Sequence, residues 1–262
     1  MTVKLKTKEF NKYDKNKETF TVKSQTLKAL ESQLGESHRS SPILMSFVAG
    51  GLASIGLATN SSTTILGSML LSPIGSLLNK SNIYWLLKKH RVTLDKKYSH
   101  WIVPLLMVMI ITIGISFLLG TIFSNLKNPF NNKPLTENWP TQEMQDRAEP
   151  INAVYMIFIA LLCGIALPIS IIMESGVRFV AIGIATALIP PLANVGLAFS
   201  FKESNTLDLH YGLSYKQKAI IVGISIFLIN TLLLYFPSKY LLNVFVQEDN
   251  IFKRIEKFFN II

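Results

Sequence analysis

Two proline-broken apolar segments hold the groups of this sequence best suited to chemistry. Ser68-Met69-Leu70-Leu71-Ser72-Pro73-Ile74-Gly75-Ser76 and Thr186-Ala187-Leu188-Ile189-Pro190-Pro191-Leu192-Ala193-Asn194 align on Pro73 and Pro191 and match in character at nearly every position. A proline inside a helix has no amide proton and leaves an upstream carbonyl without its partner. In lipid that carbonyl must be met by a neighbouring helix, a side chain or water. The hydroxyls of Ser68, Ser72, Ser76 and Thr186, the amide of Asn194, and carbonyls freed by Pro73, Pro190 and Pro191 therefore form a set able to coordinate a small ion or polar solute. Asn230, midway through a later apolar run, is a lone amide that also needs a partner. The competing reading is that the prolines only kink helices and that Gly67, Gly75, Gly183 and Gly196 let helices approach closely.

The catalytic inventory is thin. The sequence has no His-Glu-x-x-His pair, no Gly-x-Ser-x-Gly elbow and no phosphate-cradling Gly-Lys-Thr loop, so no catalytic residue and no cofactor is expected. His38, His90, His100 and His210 fall at or beyond the ends of apolar runs, and no metal site is expected. The single cysteine, Cys163, cannot form an intramolecular disulfide and reads as a small packing residue. Glu174 and Arg178, four apart, read as an interfacial pair and not as a proton relay.

The elements that must position these groups are membrane spans. Only 16% of the 262 residues are charged, against about 25% in soluble domains. Forty consecutive residues between Arg39 and Lys80 carry no charge, and 101–123, 151–173, 179–201 and 219–236 are charge-free as well. A soluble globule is excluded, since about 18 apolar residues already make a span and a run of 40 suits two spans joined by a tight turn. The polar stretch from Thr59 to Thr64 divides that run. The expected spans are 42–58, 63–79, 101–123, 151–173 after Pro150, 177–200 and 219–236.

The net charge of +10 sits in the segments between apolar runs, without the aromatic interleaving of a single-strand binder, so nucleic acid is not an expected partner. Lys and Arg favour the cytoplasmic side. The N-terminal tail carries nine, the segment between spans 2 and 3 six, and the segment after span 6 four; the two remaining long connections carry three each. Both termini are therefore expected in the cytoplasm of a multi-pass protein of the cell membrane. Met1 to Gln25 holds no apolar core, so the first span is expected to do the targeting. The expected divisions are a polar Lys-rich tail over 1–41, three spans in 42–125, an external loop over 126–150, three spans in 151–246 and a cytoplasmic tail over 247–262.

Pro73 precedes Tyr98, just before span 3, by 25 residues, and Pro191 precedes Tyr215, just before span 6, by 24. Gly50 and Gly51 of span 1 correspond loosely to Gly164 of span 4. These matches imply two three-span halves. Because three is odd, the second half enters from the opposite face, giving the inverted repeat that recurs in transporters with a midplane site at the broken helices. The fold class expected is thus all-α, six spans, with spans 2 and 5 broken by proline.

The words Gly56-Leu57-Ala58-Thr59-Asn60, Ile65 to Ile74, Ala160 to Ala166, Ala187 to Leu197 and Phe227-Leu228-Ile229-Asn230 are similar to those of the domain-of-unknown-function family 389, uncharacterised hydrophobic membrane proteins, over roughly residues 43–236. Two departures stand out. The Ser-Pro element lacks the second proline that follows it in the family, and the stretch from Ala166 to Gly176 carries Pro168 and Glu174. The resemblance implies a multi-span membrane fold and no biochemical activity.

The function expected from the repeat is a transporter or channel for a small ion or polar solute, with its site where spans 2 and 5 cross. The alternative is a membrane scaffold whose tail recruits a partner. Beyond the bilayer itself, the basic segment Lys88 to Lys97 and the stretch Ile251 to Phe259 are placed to touch anionic lipid head groups. The small residues of the spans permit a homo-oligomer.

Overall fold

A computed structural model describes residues 42–89, 102–127, 132, 135–172, 188–200 and 213–247. These residues form eight helices and no strand. They are α1 (Pro42–Ala58), α2 (Ser62–Leu70), α3 (Ile74–Lys89), α4 (Ile102–Asn125), α5 (Gln142–Asp146), α6 (Pro150–Ile172), α7 (Ile189–Ser200) and α8 (Tyr215–Gln247).

Local chemistry sets the boundaries. Asn60 turns the chain between α1 and α2 at φ 55°, a left-handed conformation that asparagine tolerates better than most residues. Ser61 then caps α2 by accepting from the Thr64 amide. Gly56 makes the hairpin tight, since a Cβ there would lie 2.7 Å from Ile65 Cγ1. α2 stops at Leu70 because Pro73 offers no amide proton to continue the ladder. The chain restarts at Ile74 and runs on to Lys89. The second apolar element is thus two helices, and it extends ten residues beyond the boundary at 79 expected from charge. Ser81, Asn82, Ile83, Tyr84, Leu86 and Leu87 are all buried in the added length.

α4, α6 and α8 are long and apolar enough to cross a membrane, over Ile102–Asn125, Pro150–Ile169 and Tyr215–Val244; α1 and α7 are shorter apolar helices. α6 begins at Pro150, where the missing amide proton costs nothing. α8 passes Pro237 without ending and continues past the expected limit at 236 to Gln247.

Close approaches between helices fix their directions. Ser54 Oγ and Ser116 Oγ lie 2.7 Å apart, and a Cβ on Gly50 would meet Thr112 and Ile115, so α1 and α4 run the same way. Gly196 packs on Ile113, Ser116 and Phe117, and Gly120 on Leu197 and Ser200, so α7 is parallel to them. Asn82 donates to Ser238 Oγ at 3.1 Å and Lys89 to Asn243 Oδ1 at 2.6 Å, which makes α3 and α8 parallel. Gly164 meets Leu233 and Leu234, and Ile159 shares a cavity with Ile226, so α6 joins α3 and α8. Asn194 contacts Tyr215 while Pro191 contacts Gly223, which sets α7 antiparallel to α8. The described helices therefore form two opposed sets: α1, α4 and α7 in one sense, and α3, α6 and α8 in the other, with α2 returning antiparallel to α1.

α7 is the central element, buried at every position from Ile189 to Ala198. Outside it the pattern is inverted relative to a soluble protein: Ile110, Leu118, Phe158, Leu162 and Phe236 are more than half exposed, as lipid-facing side chains would be (Leu118 56%, the others 58–66%).

The described residues 135–149 of the segment expected as an external loop are docked on the end of α1. Thr141 caps α5 and donates to the Leu57 carbonyl at 2.6 Å, Trp139 Nε1 donates to the Ala58 carbonyl, and Asn60 Oδ1 accepts from the Glu143 amide. These bonds satisfy carbonyls that the end of α1 leaves without intrahelical donors. Met144 is driven fully into the core.

Candidate solute-binding region

Ser72, Pro73 and Ser76 lie where α2 gives way to α3. They line a cavity of about 170 Å³ with Pro42 and Met45 of α1 and with Lys80. The hydroxyls are engaged locally: Ser76 Oγ donates to the Pro73 carbonyl at 2.8 Å, Ser68 Oγ to the Ile65 carbonyl at 2.6 Å, and Ser72 Oγ receives the Ile74 amide at 3.5 Å. Each hydroxyl oxygen can still accept.

Pro190 and Pro191 occupy the first turn of α7, where a missing donor is tolerated. Asn194, one turn on, is fully buried and fully engaged. Its Nδ2 donates to the Met144 carbonyl at 2.9 Å and its Oδ1 accepts from the Tyr215 hydroxyl at 2.7 Å. Met144 belongs to the segment tied to Leu57 and Ala58 at the end of α1, whereas Ser72 sits beside Pro42 and Met45 at its start. Ser72 thus lies by the start of α1, while Asn194 is taken up by Met144 and Tyr215. Asn194 instead latches α5 and the start of α8 to the central helix. Thr186 lies outside the described residues, as do Glu174 and Arg178.

Asn230 is the sequence-predicted residue whose environment is most unusual. It is fully buried midway along α8, and neither its Nδ2 nor its Oδ1 has a hydrogen-bond partner. It lies seven residues from Gly223 and three from Phe227, on the face that Gly223 presents to Pro191. Its neighbour Thr231 is also buried with an unpartnered hydroxyl, seven residues from Ser238 and so on the face turned to α3. Across that interface Asn79 Oδ1 and Asn82 Oδ1 are buried and unpartnered. Such atoms are rare in native proteins, and each one calls for an explanation.

Two further prolines act on the same level of the bundle. Pro168 and Pro237 sit inside α6 and α8, so the carbonyls of Gly164 and Leu233, four residues earlier, have no helical donor. Those two positions are in contact: a Cβ on Gly164 would run into the Leu233 carbonyl. The Leu233 carbonyl therefore lies against Gly164, one turn from Asn230.

Asn79, Asn82, Thr231 and these carbonyls escaped the sequence reading. The signal is present in Asn79 and Asn82, three apart and hence on one helix face, but Lys80 ends the charge-free run between them, and Pro237 lies just past the expected limit at 236. Among the described residues no cluster of three or more His, Cys, Asp or Glu side chains could hold a metal ion.

Fold and site together define an all-helical protein with helices able to cross a membrane around a buried polar stripe of amides, hydroxyls and carbonyls. The chain belongs to the family Domain of unknown function (DUF389), whose model matches residues 82–236. The match starts within α3 and so takes in the polar stripe from Asn82 onward, while the Ser-Pro element lies before it. No curated protein and no solved structure matches the chain.

Proposed function

We propose that this protein is a multi-pass transporter or channel for a small ion or polar solute, and that the solute is handled along α8, where Thr231 faces α3 and Asn230 faces α7. The observation that carries the reading is the row of buried, unpartnered polar atoms at Asn79, Asn82, Asn230 and Thr231. A buried polar atom without a partner costs about 1–3 kcal/mol. Four residues in this state on two adjoining helices make sense where water or a solute completes their coordination. The cavity at Ser72, Pro73 and Ser76 lies by the start of α3.

Six crossings, in two inverted halves, fit the observed directions: α1, α4 and α7 alternate with α2–α3, α6 and α8. The contacts correspond as well. α1 meets α4 through Gly50 as α6 meets α8 through Gly164, and α7 meets α4 through Gly196 as α3 meets α8 through Asn82. Lys88 and Lys89 then mark the cytoplasmic end, with both termini on that side. Trp85 lies there under Lys239 at 4.5 Å and Lys89 at 5.5 Å, a cation–aromatic cluster suited to contact with lipid head groups.

The test is flux. In sealed vesicles carrying the purified full chain, imposed gradients of sodium, potassium, chloride and small neutral solutes are followed, and at least one should collapse faster than in empty vesicles. Asn230→Leu and Asn82→Leu should abolish that flux in protein that still folds. Absence of any flux, together with a phenotype lost on deleting residues 1–38 alone, would instead favour the tail-driven scaffold.

A further inference from the structure

A second cavity, of about 170 Å³, lies at the other end of the bundle between α6, α7 and α8. Its composition changes with depth. Asp146, Arg147 and Asn152 form its upper part around the start of α6, whereas Ile159, Pro191 and Ile226 form its floor. From Asn152 to Ile159 is seven residues, or about 10 Å along the helix. This is a polar-to-apolar gradient along the direction in which α6 enters the apolar zone. The neighbouring surface is apolar and exposed, with Phe158 and Leu162 each more than 60% accessible.

The polar end is incompletely matched. Arg147 Nη2 pairs with Glu143 at 3.1 Å, but Arg147 Nε is buried without a partner. Burial pushes the guanidinium below its ordinary value, against the pull of Glu143 and then Asp146. Asp146 receives one hydrogen bond, from Gln142 at 2.8 Å, and stands next to Arg147 in the lining. A cation and a carboxylate side by side above an apolar floor suit an amphiphile that carries both charges. We propose that this cavity holds a phospholipid with a zwitterionic head group, its phosphate on Arg147, its ammonium on Asp146 and an acyl chain over Ile159, Pro191 and Ile226. A soluble phosphate compound would use the upper residues and leave the floor empty. The cavity is lined by residues other than those of the transport path, although Ile226 lies one turn from Asn230 on α8.

The test uses the full chain purified in detergent, exposed to mixed vesicles of phosphatidylethanolamine and phosphatidylglycerol, and weighed intact by mass spectrometry. Phosphatidylethanolamine should be retained at least tenfold over phosphatidylglycerol. Arg147→Gln should lower its retention about tenfold, and Ile159→Trp, which fills the floor while leaving the Arg147–Glu143 pair in place, should do the same. Phe158→Ala, on the exposed face outside the lining, should retain it as the parent does, and soluble phosphoethanolamine should not displace it. Equal retention of both lipids, retention unchanged in Ile159→Trp, or displacement by phosphoethanolamine would overturn the proposal.

Discussion

Asn194 and Asn230 are the same residue type, each with no exposed surface in an apolar helix, yet their surroundings are opposite. Asn194 has both ends of its amide engaged, by Met144 and Tyr215, within a set of bonds that also fastens Trp139, Thr141 and Glu143 to the end of α1. Asn230 has neither end engaged, and Thr231, Asn79 and Asn82 nearby each keep an unpartnered oxygen. One end of the bundle is closed by hydrogen bonds, and the middle and far part of α3 and α8 hold polar groups with coordination to spare. A buried amide that seals and a buried amide that serves a solute are thus distinguished by their bonding, not by residue type or depth.

Substitution separates the two roles, and the largest effect is expected at Asn194. Asn194→Leu removes the buried bonds to the Met144 carbonyl and from the Tyr215 hydroxyl, at about 1–3 kcal/mol, and should appear as a clear fall in Tm in detergent. Gly196→Ala should cost about 1–3 kcal/mol, because its Cβ would lie 2.5 Å from the Ile113 carbonyl and force α7 from α4; thermal unfolding measures it directly. Asn230→Leu removes two atoms that bond to nothing in the protein. Its Tm should therefore stay level or rise, by no more than about 1–2 kcal/mol of stability, while flux is lost. A fall in Tm like that of Asn194→Leu would erase the contrast between the two residues. The smallest effect is expected at Gly67, whose Cβ would meet open space; Gly67→Ala should stabilise α2 by about 0.5–1 kcal/mol.

The sequence made some of this legible. Runs free of charge located α4 and α6 to within a residue or two, and Pro150 marked the start of α6, because both signals are local. Gly50 and Gly164, matched only loosely by position, do occupy comparable close approaches to α4 and α8. The break at Pro73 also followed from residue type, whereas a lone amide such as Asn230 is expected to bond to a neighbouring helix and here does not. The rest depended on what lies across the fold. Lys80 and Lys239 end a span when read by charge alone, yet one lines a cavity and the other rests on Trp85 and Tyr235, so α3 and α8 continue past them. Asn194 looked like a ligand because its partners come from residues 50 and 21 positions away. The segment 126–150 looked like solvated loop because Met144 is one apolar residue among polar ones, and its burial is decided by the groove it meets.

The most direct test of the contrast is water access. In a Cys163→Ala background, Asn230→Cys and Ala193→Cys are introduced separately and exposed, in sealed vesicles of each orientation, to a small membrane-impermeant thiol reagent. The account predicts that position 230 reacts from the side bearing Lys89 and that position 193, beneath the Asn194 latch, reacts from neither. Labelling at 193 with none at 230 would contradict it, and so would silence at 230 from both sides.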